Sequence, residues 1–336
     1  MCVYNGQAFL AEAMNSVLGQ AFSDFECLVV DDYSTDRTLE ILAGYAVADP
    51  RVVVVCNEEN LGLTHSLNRG LGLIRGRYVA RMDADDVCRP DRLERQVAFM
   101  EAHPEVAILG SWVEIFGDLG EHIWTPPVDD KRLCCEHLFN SSIYHPVAMY
   151  RTAFFQEYGV CYNTEMTCSQ DYELWVRVSR LGGRLANLPE PLLRFRMHGT
   201  KIGVNRLEEQ DRCADKVRRW QLEELGILPT MAELEIHRAI ATRQYIATLD
   251  FFNVAGEWLA RLATANRERR IFPEPDFVRL LGERYLEACS AVAEDGWVVF
   301  RHYRSRPDLC SNGSSAVAKA RLLLKCLLRW GRPAAG

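Results

Sequence analysis

The chain has 336 residues, 48% of them hydrophobic and 25% charged, with a formal net charge of -7, which fits a globular protein with one large domain and a smaller one. The acidic balance argues against nucleic acid as the main partner, although a local basic patch can still meet phosphates or a membrane surface. No apolar run reaches the ~18–20 residues a bilayer span requires and no signal peptide opens the chain, so a cytoplasmic protein is expected.

The twelve cysteines lack paired metal-ligand spacing. Cys134 and Cys135 are adjacent, while Cys161 and Cys168 lie too far apart for a knuckle. Reduced thiols are the simpler expectation.

Met1 to Gly6 reads as the end of a strand followed by a turn, since Asn5-Gly6 accepts the positive φ that turns need. The body of that strand is missing. Phe9, Leu10, Ala13, Val17 and Leu18 recur at helical spacing, predicting an amphipathic helix over 8–20. A continuous apolar strand over 26–32 then ends in Asp31-Asp32, and Ser34-Thr35-Asp36 offers N-cap chemistry for a helix to about Ala48. Arg51 to Cys56, dense in valine, reads as a strand covered on both faces. A loop through Asn57 to Gly62 leads to another helix.

Tyr78-Val79-Ala80-Arg81-Met82 is a further short strand, and it runs straight into Asp83-Ala84-Asp85-Asp86. Buried charges at a strand end are costly unless hydrated, paired or bound to a cation. Oxygen ligands favour a hard divalent ion such as Mg²⁺ or Mn²⁺, whose remaining ligands are commonly phosphates. A lone Asp-x-Asp is more simply a solvated acidic loop. Strands alternating with helices, however, predict a doubly wound α/β sheet, and such sheets bind ligands at the carboxyl ends of their strands. Asp31-Asp32 and Asp83 to Asp86 share that edge.

Further on, a helix is expected over 91–102, a strand over 106–116, a long loop, and a strand over His145 to Arg151. Gln170-Asp171-Tyr172-Glu173-Leu174-Trp175 opens a helix with Leu174, Val178 and Leu181 on its core stripe. Asp171 stands in the first turn, either as an N-terminal capping residue or as a catalytic carboxylate. The strand Leu192 to Met197 is followed by His198, which is either structural or a ligand. Beyond Asn205 strand signals cease. The expected division is a domain over 1–205 and a helical region over 206–336, with helices over 206–225 and 231–250. Over 315–332, Arg321, Lys325, Arg329 and Arg332 form one side of a helix; Leu323, Leu324, Leu327 and Trp330 form the other. This basic amphipathic helix suits either an anionic membrane surface or docking on the helical region.

In this order, Val3-Tyr4-Asn5-Gly6, Val30-Asp31-Asp32-Tyr33-Ser34-Thr35-Asp36, Asn60-Leu61-Gly62, Asp83-Ala84-Asp85-Asp86, His145-Pro146 and Gln170-Asp171-Tyr172-Glu173-Leu174-Trp175 resemble the family 2 glycosyltransferases of GT-A fold. The resemblance covers about residues 1–200. It implies a GT-A-like doubly wound mixed sheet lacking most of its first strand, with a smaller helical C-terminal domain. It also implies transfer of a sugar from a nucleotide diphosphate donor, a UDP-sugar foremost, to a saccharide or lipid-linked acceptor in surface polysaccharide synthesis, with inversion at the anomeric carbon.

By the same resemblance, Tyr4 and Asp32 hold the nucleotide base, Asp83 binds the donor, Asp85 and His198 hold the divalent metal, Mg²⁺ or Mn²⁺, and Asp171 is the base. Tyr172 and Trp175 are candidates to wall the acceptor, with core packing the plainer role for Trp175. Two departures stand out: Gln170 replaces the family's usual Glu, and the strand before Cys2 is absent. The second leads to the expectation that Met1 is an internal methionine of a longer chain. The competing readings are a non-catalytic sugar-nucleotide-binding scaffold and a sugar nucleotidyltransferase; the latter lacks its glycine- and arginine-rich loop.

Overall fold

The computed structural model describes residues 1–118, 120–199, 207–310 and 316–329. The chain divides into two compact units: residues 1–133 with 141–214, and residues 134–140 with 215–336. The division falls after, rather than at, residue 205. The short segment 134–140 joins the second unit because Cys135, Leu138 and Phe139 are buried in its helical core.

The first unit opens as a parallel α/β arrangement. Strands β1 (Cys2–Val3), β2 (Cys27–Asp31) and β3 (Val52–Cys56) alternate with helices α1 (Leu10–Leu18) and α2 (Thr38–Ala48) and form a three-stranded parallel sheet in the order β1-β2-β3. Val29 and Val30 are fully buried, as expected of a strand covered on both faces. After α3 (Leu63–Leu71), strands β4 (Tyr78–Ala80), β5 (Val87–Cys88), β6 (Val106–Gly117), β7 (His122–Trp124), β8 (Met149–Arg151) and β9 (Arg184–Met197) build a second, mixed sheet. Its order is β4-β8-β6-β9-β5, with β7 paired to β6. Helix α4 (Arg92–Ala102) precedes β6, α5 (Asp130–Glu136) and α6 (Thr152–Glu157) flank β8, and α7 (Gln170–Arg180) precedes β9.

Among the described residues the two sheets are joined by a single parallel bridge, Cys2 to Asp83. With only two residues, β1 cannot pair β2 to β4 along their lengths. A cavity of about 880 Å³ lies between them. The sheet is thus the expected one, split where its first strand is short.

Several local expectations are corrected. His145–Val147 is a 3₁₀ turn rather than a strand; Pro146 lacks the N–H a ladder needs, and pairing begins at Met149. Leu181 is 38% exposed because α7 ends at Arg180. The last strand is much longer than expected, starting at Arg184 and accommodating Pro189 and Pro191 beside register shifts against β6.

The second unit is helical. Helices α8 (Leu207–Glu224), α9 (Met231–Thr242), α10 (Leu249–Arg269), α11 (Glu274–Ala291), α12 (Trp297–Arg304), α13 (Pro307–Cys310) and α14 (Ala316–Arg329) follow in order. The single helix expected over 231–250 breaks at Arg243, which takes a left-handed φ of 57°, and Thr248 caps a new helix through the Phe251 amide. Phe252, Leu259, Phe277 and Leu281 centre its core. Helix α14 docks there through buried Leu322 and Cys326, while Arg321, Leu324, Lys325 and Leu328 stay exposed. Trp330 and Arg332 lie outside the described residues.

All twelve cysteines are free thiols. Cys56 and Cys161 are exposed, seven are buried, and three lie between. No helix among the described residues is long and apolar enough to cross a membrane.

Candidate active site

The site is assembled at the carboxyl ends of β1, β2 and β4. The loop after β1 is zipped to the loop after β2: the Asn5 amide donates to Ser34 Oγ (2.9 Å), the Thr35 amide to Asn5 Oδ1 (2.8 Å), the Gly6 amide to Thr38 Oγ1 (2.8 Å) and the Gln7 amide to Asp36 Oδ2 (3.0 Å). Ser34-Thr35-Asp36 therefore does more than start α2, although Asp36 Oδ1 also accepts the first-turn amide of Thr38 (2.9 Å). Two tyrosines stand out of this zipped pair. Tyr4 is 52% exposed and Tyr33, at φ 64°, is 54% exposed.

Asp32 is buried and organises the neighbouring loop. Its Oδ1 accepts from Asn57 Nδ2 (2.6 Å) and the Leu61 amide (2.9 Å), and its Oδ2 accepts from the Gly62 amide (2.9 Å). Asn60 Nδ2 donates to the Asp32 carbonyl (3.1 Å). The Asn60-Leu61-Gly62 motif is thus a clamp on Asp32, with Gly62 at φ 84°, a conformation few side chains tolerate.

The acidic run after β4 forms a tight cluster. Carboxylate oxygens of Asp83, Asp85 and Asp86 all lie within 4.8 Å of one another. His198, carried in by the end of β9, places Nε2 2.9 Å from Asp85 Oδ2 and packs its ring 4.8 Å from that of Phe9. The preceding Arg196 fastens the same corner: its amide donates to Asp86 Oδ1 (2.9 Å), its Nε to the Asp85 carbonyl (2.9 Å), and its guanidinium lies over Phe9 and Phe116. Arg81, buried at 6% exposure, pairs with Asp83. Three oxygen donors at this spacing fit one hard divalent ion, and His198 adjoins the group through Asp85.

Asp171, in the first turn of α7, is half-buried. Burial pushes its carboxyl above the ordinary aspartate value; the amides of Tyr172 and Asp171 and the charge of Arg81 oppose this, and the negative charge of Asp83 adds to it. Asp171 thus shares the electrostatic surroundings of the acidic cluster. Behind it His145 Nε2 and Tyr150 Oη each sit 2.7 Å from Tyr162 Oη, all three buried. Burial and the nearby Arg81 hold His145 far below its usual value, so it stays neutral.

Sequence reasoning picked out Asp83, Asp85, His198 and Asp171 but gave no role to Asp86, Arg81, Arg196 or Tyr33. Asp86 had its signal in the same acidic run, whereas the part of Arg196 depends on β9 pairing with β5. Tyr172 (2% exposed) and Trp175 (0%) cannot wall an acceptor. Trp175 donates its indole N–H to the Ile143 carbonyl (3.2 Å) within the core.

A split, doubly wound sheet with acidic residues at its strand ends and a helical appendage defines an enzyme of the GT-A architecture. A family model for glycosyl transferase family 2 matches residues 1–159. An uncharacterised glycosyltransferase of Haemophilus influenzae is 32% identical over 267 residues, covering 74% of this chain and 82% of that protein. The chain belongs to the family 2 glycosyltransferases. The amylovoran biosynthesis glycosyltransferase AmsE of Erwinia amylovora is 31% identical over 207 residues, 59% of this chain and 74% of AmsE. Among solved structures, the mannosyltransferase PcManGT of Pyrobaculum calidifontis, in complex with GDP-Man and Mn²⁺, matches with a TM-score of 0.55 at 17% identity, over 96% of this chain and 85% of that one. At that identity it speaks for the fold.

Proposed function

We propose that this glycosyltransferase moves a sugar from a nucleotide diphosphate donor, a UDP-sugar first among them, to a hydroxyl of a saccharide or lipid-linked acceptor, with inversion and with a divalent metal. The observation that carries the reading is the clustering of Asp83, Asp85 and Asp86, with His198 on Asp85, together with a carboxyl at Asp171 that feels the charge of Asp83. Kinship with AmsE supports a place in the assembly of a surface polysaccharide.

In this reading Asp85 and His198, with Asp86, hold Mg²⁺ or Mn²⁺, and Asp83 contacts the donor. When bound, the ion offsets the negative charge that builds on the departing diphosphate. Tyr4 stacks on the base. Asp32 is the base-recognition residue, with its loop clamp fixing where it stands. Asp171 takes the proton of the acceptor hydroxyl as the new bond to the anomeric carbon forms and the bond to the diphosphate oxygen breaks. Attack from the face opposite the leaving group inverts that carbon. The raised pKa suits a proton acceptor, because a more basic carboxylate takes the proton more readily. The exposed Arg321 and Lys325 beside Leu324 and Leu328 on α14 support peripheral contact with an anionic membrane on the cytoplasmic side, where a lipid-linked acceptor is found.

Purified protein with Mn²⁺ and a panel of UDP-, GDP- and dTDP-sugars tests the reading. Nucleoside diphosphate release with one donor, lost in Asp171→Asn while nucleotide binding persists, supports it. Binding without turnover across the panel favours the scaffold instead.

A further inference from the structure

Past its two prolines, β9 alternates between two kinds of side chain. Phe195 and Met197 pack toward a hydrophobic core of the first unit, whereas Arg194, Arg196 and, just beyond the strand, His198 share the other face. Two aromatic rings are interleaved with these three basic side chains. The Arg194 guanidinium lies 4.3 Å from the centre of the Phe116 ring and the Arg196 guanidinium 4.6 Å from it. Arg196 also stands 4.7 Å from the centre of the Phe9 ring, whose further neighbour, at 4.8 Å, is the His198 imidazole. The stack therefore runs Arg194, Phe116, Arg196, Phe9, His198. Each of its basic groups meets its own carboxylate: Glu114, Glu12 and Asp85 in turn.

The sheet accounts for one end of this stack, since Arg194 faces Glu114 and Arg196 faces Phe116 across the β6–β9 ladder. Phe9 comes from elsewhere. It is the residue before the first turn of α1, with its amide bonded to the Gly6 carbonyl (3.1 Å) and its carbonyl accepting from the Ala13 amide (3.1 Å). It is half-buried, and among the described residues it joins none of the four hydrophobic clusters. Its ring serves Arg196 and His198 instead. Ladder pairing stops at Met197, opposite Gly117, so the sheet does not fix the direction of the imidazole that follows. A ring face does: it limits the imidazole to orientations that stack, and a guanidinium on the same ring holds that ring in place.

We propose that Phe9 is a positioning residue for His198: its ring, backed by Arg196 and Phe116, holds the imidazole against Asp85 and so sets one side of the ion site. The consequence for metal binding rests on the ion-site reading given above. A ligand group held in place by its neighbours binds an ion more tightly than one that must be ordered on binding.

The experiment compares Phe9→Leu and Phe9→Met, which keep an apolar side chain, with Phe9→Tyr, which keeps the ring; two apolar variants prevent the result from resting on one chain that fails to fold. Calorimetry of Mn²⁺ binding in the presence of UDP should show affinity weakened roughly tenfold in the apolar variants and near wild type in Phe9→Tyr. UDP affinity in metal-free buffer should be the same in all. In metal-free protein the NMR signal of the His198 ring, identified by its loss in His198→Gln, should move in Phe9→Leu and hold its place in Phe9→Tyr. Wild-type Mn²⁺ affinity in the apolar variants would overturn the proposal. So would an equal loss in Phe9→Tyr, or a matching loss of metal-free UDP affinity, which marks general damage to the loop. A wild-type chain that binds no Mn²⁺ defeats the metal reading by itself; the His198 signal then decides the positioning role, and its staying put in Phe9→Leu overturns that too.

Discussion

His198 Nε2 stands 2.9 Å from Asp85 Oδ2 although the two residues are 113 positions apart. The contact exists because β9 pairs with β6 from Val106–Arg184 through Gly117–Met197 and with β5 at Val87 and Cys88, which delivers its last residues to the acidic loop after β4. Replacing Asp85 with alanine should cut donor turnover on the order of 10²–10³-fold. His198→Ala should raise the Mn²⁺ concentration needed for half-maximal rate. Initial rates of nucleoside diphosphate release against Mn²⁺ concentration measure both; an unchanged metal requirement in each variant would remove these residues from the ion site.

Asp171→Asn keeps the size of the side chain and removes its basicity. Transfer should fall by roughly 10²–10⁴-fold, while calorimetric binding of nucleoside diphosphate should stay near wild type.

The acid limb of the rate profile should follow the same residue. The folded-state pKa of Asp171 is raised by burial, so the carboxyl becomes protonated, and inactive as a base, at a higher pH than an ordinary aspartate. Activity should therefore decline on acidification before most carboxylates titrate. In stability the sign is opposite: the folded form holds this proton more tightly than the unfolded chain, so Asp171 destabilises the fold above its folded pKa and ceases to do so as pH falls through it. A kcat profile with its acid midpoint at or below the ordinary aspartate value contradicts the assignment.

Asp32→Ala leaves the Leu61 and Gly62 amides without their acceptor and takes one of two acceptors from Asn57 Nδ2, which keeps Ser66 Oγ. Loss of about 1–3 kcal/mol is expected. Faster amide exchange should be confined to residues 57–62, and urea unfolding with exchange mass spectrometry checks both.

Trp175 is a packing residue in this fold. Trp175→Ala should cost about 3–5 kcal/mol, whereas Trp175→Phe should keep the acceptor KM unchanged in any protein that folds. A selective rise in KM with Trp175→Phe would return the residue to the acceptor site.

Much of the fold could be read from local signals. The valine-rich β3 and the carboxylate-ended β2 and β4 carry periodicity and composition that need no tertiary context. The largest correction came where a long-range partner overrode such a signal. β9 begins eight residues before the expected Leu192 because pairing with β6 sustains it through two prolines. The clamp between Asp32 and the Leu61 and Gly62 amides likewise became visible only when the loop folded back. Arg196 and Arg81 gave no signal at all: an arginine in an apolar strand says nothing of which carboxylate it will meet.

The distribution of thiols gives the molecule its own labels. Cys56 and Cys161 are open to solvent, whereas Cys27 in the first unit and Cys289 and Cys326 in the second are shielded. A small alkylating reagent should consume the exposed pair at once and reach the others only as each unit breathes. Mass spectrometric timing of those slower adducts would track the opening of the two halves separately in unmodified protein, without a single introduced probe.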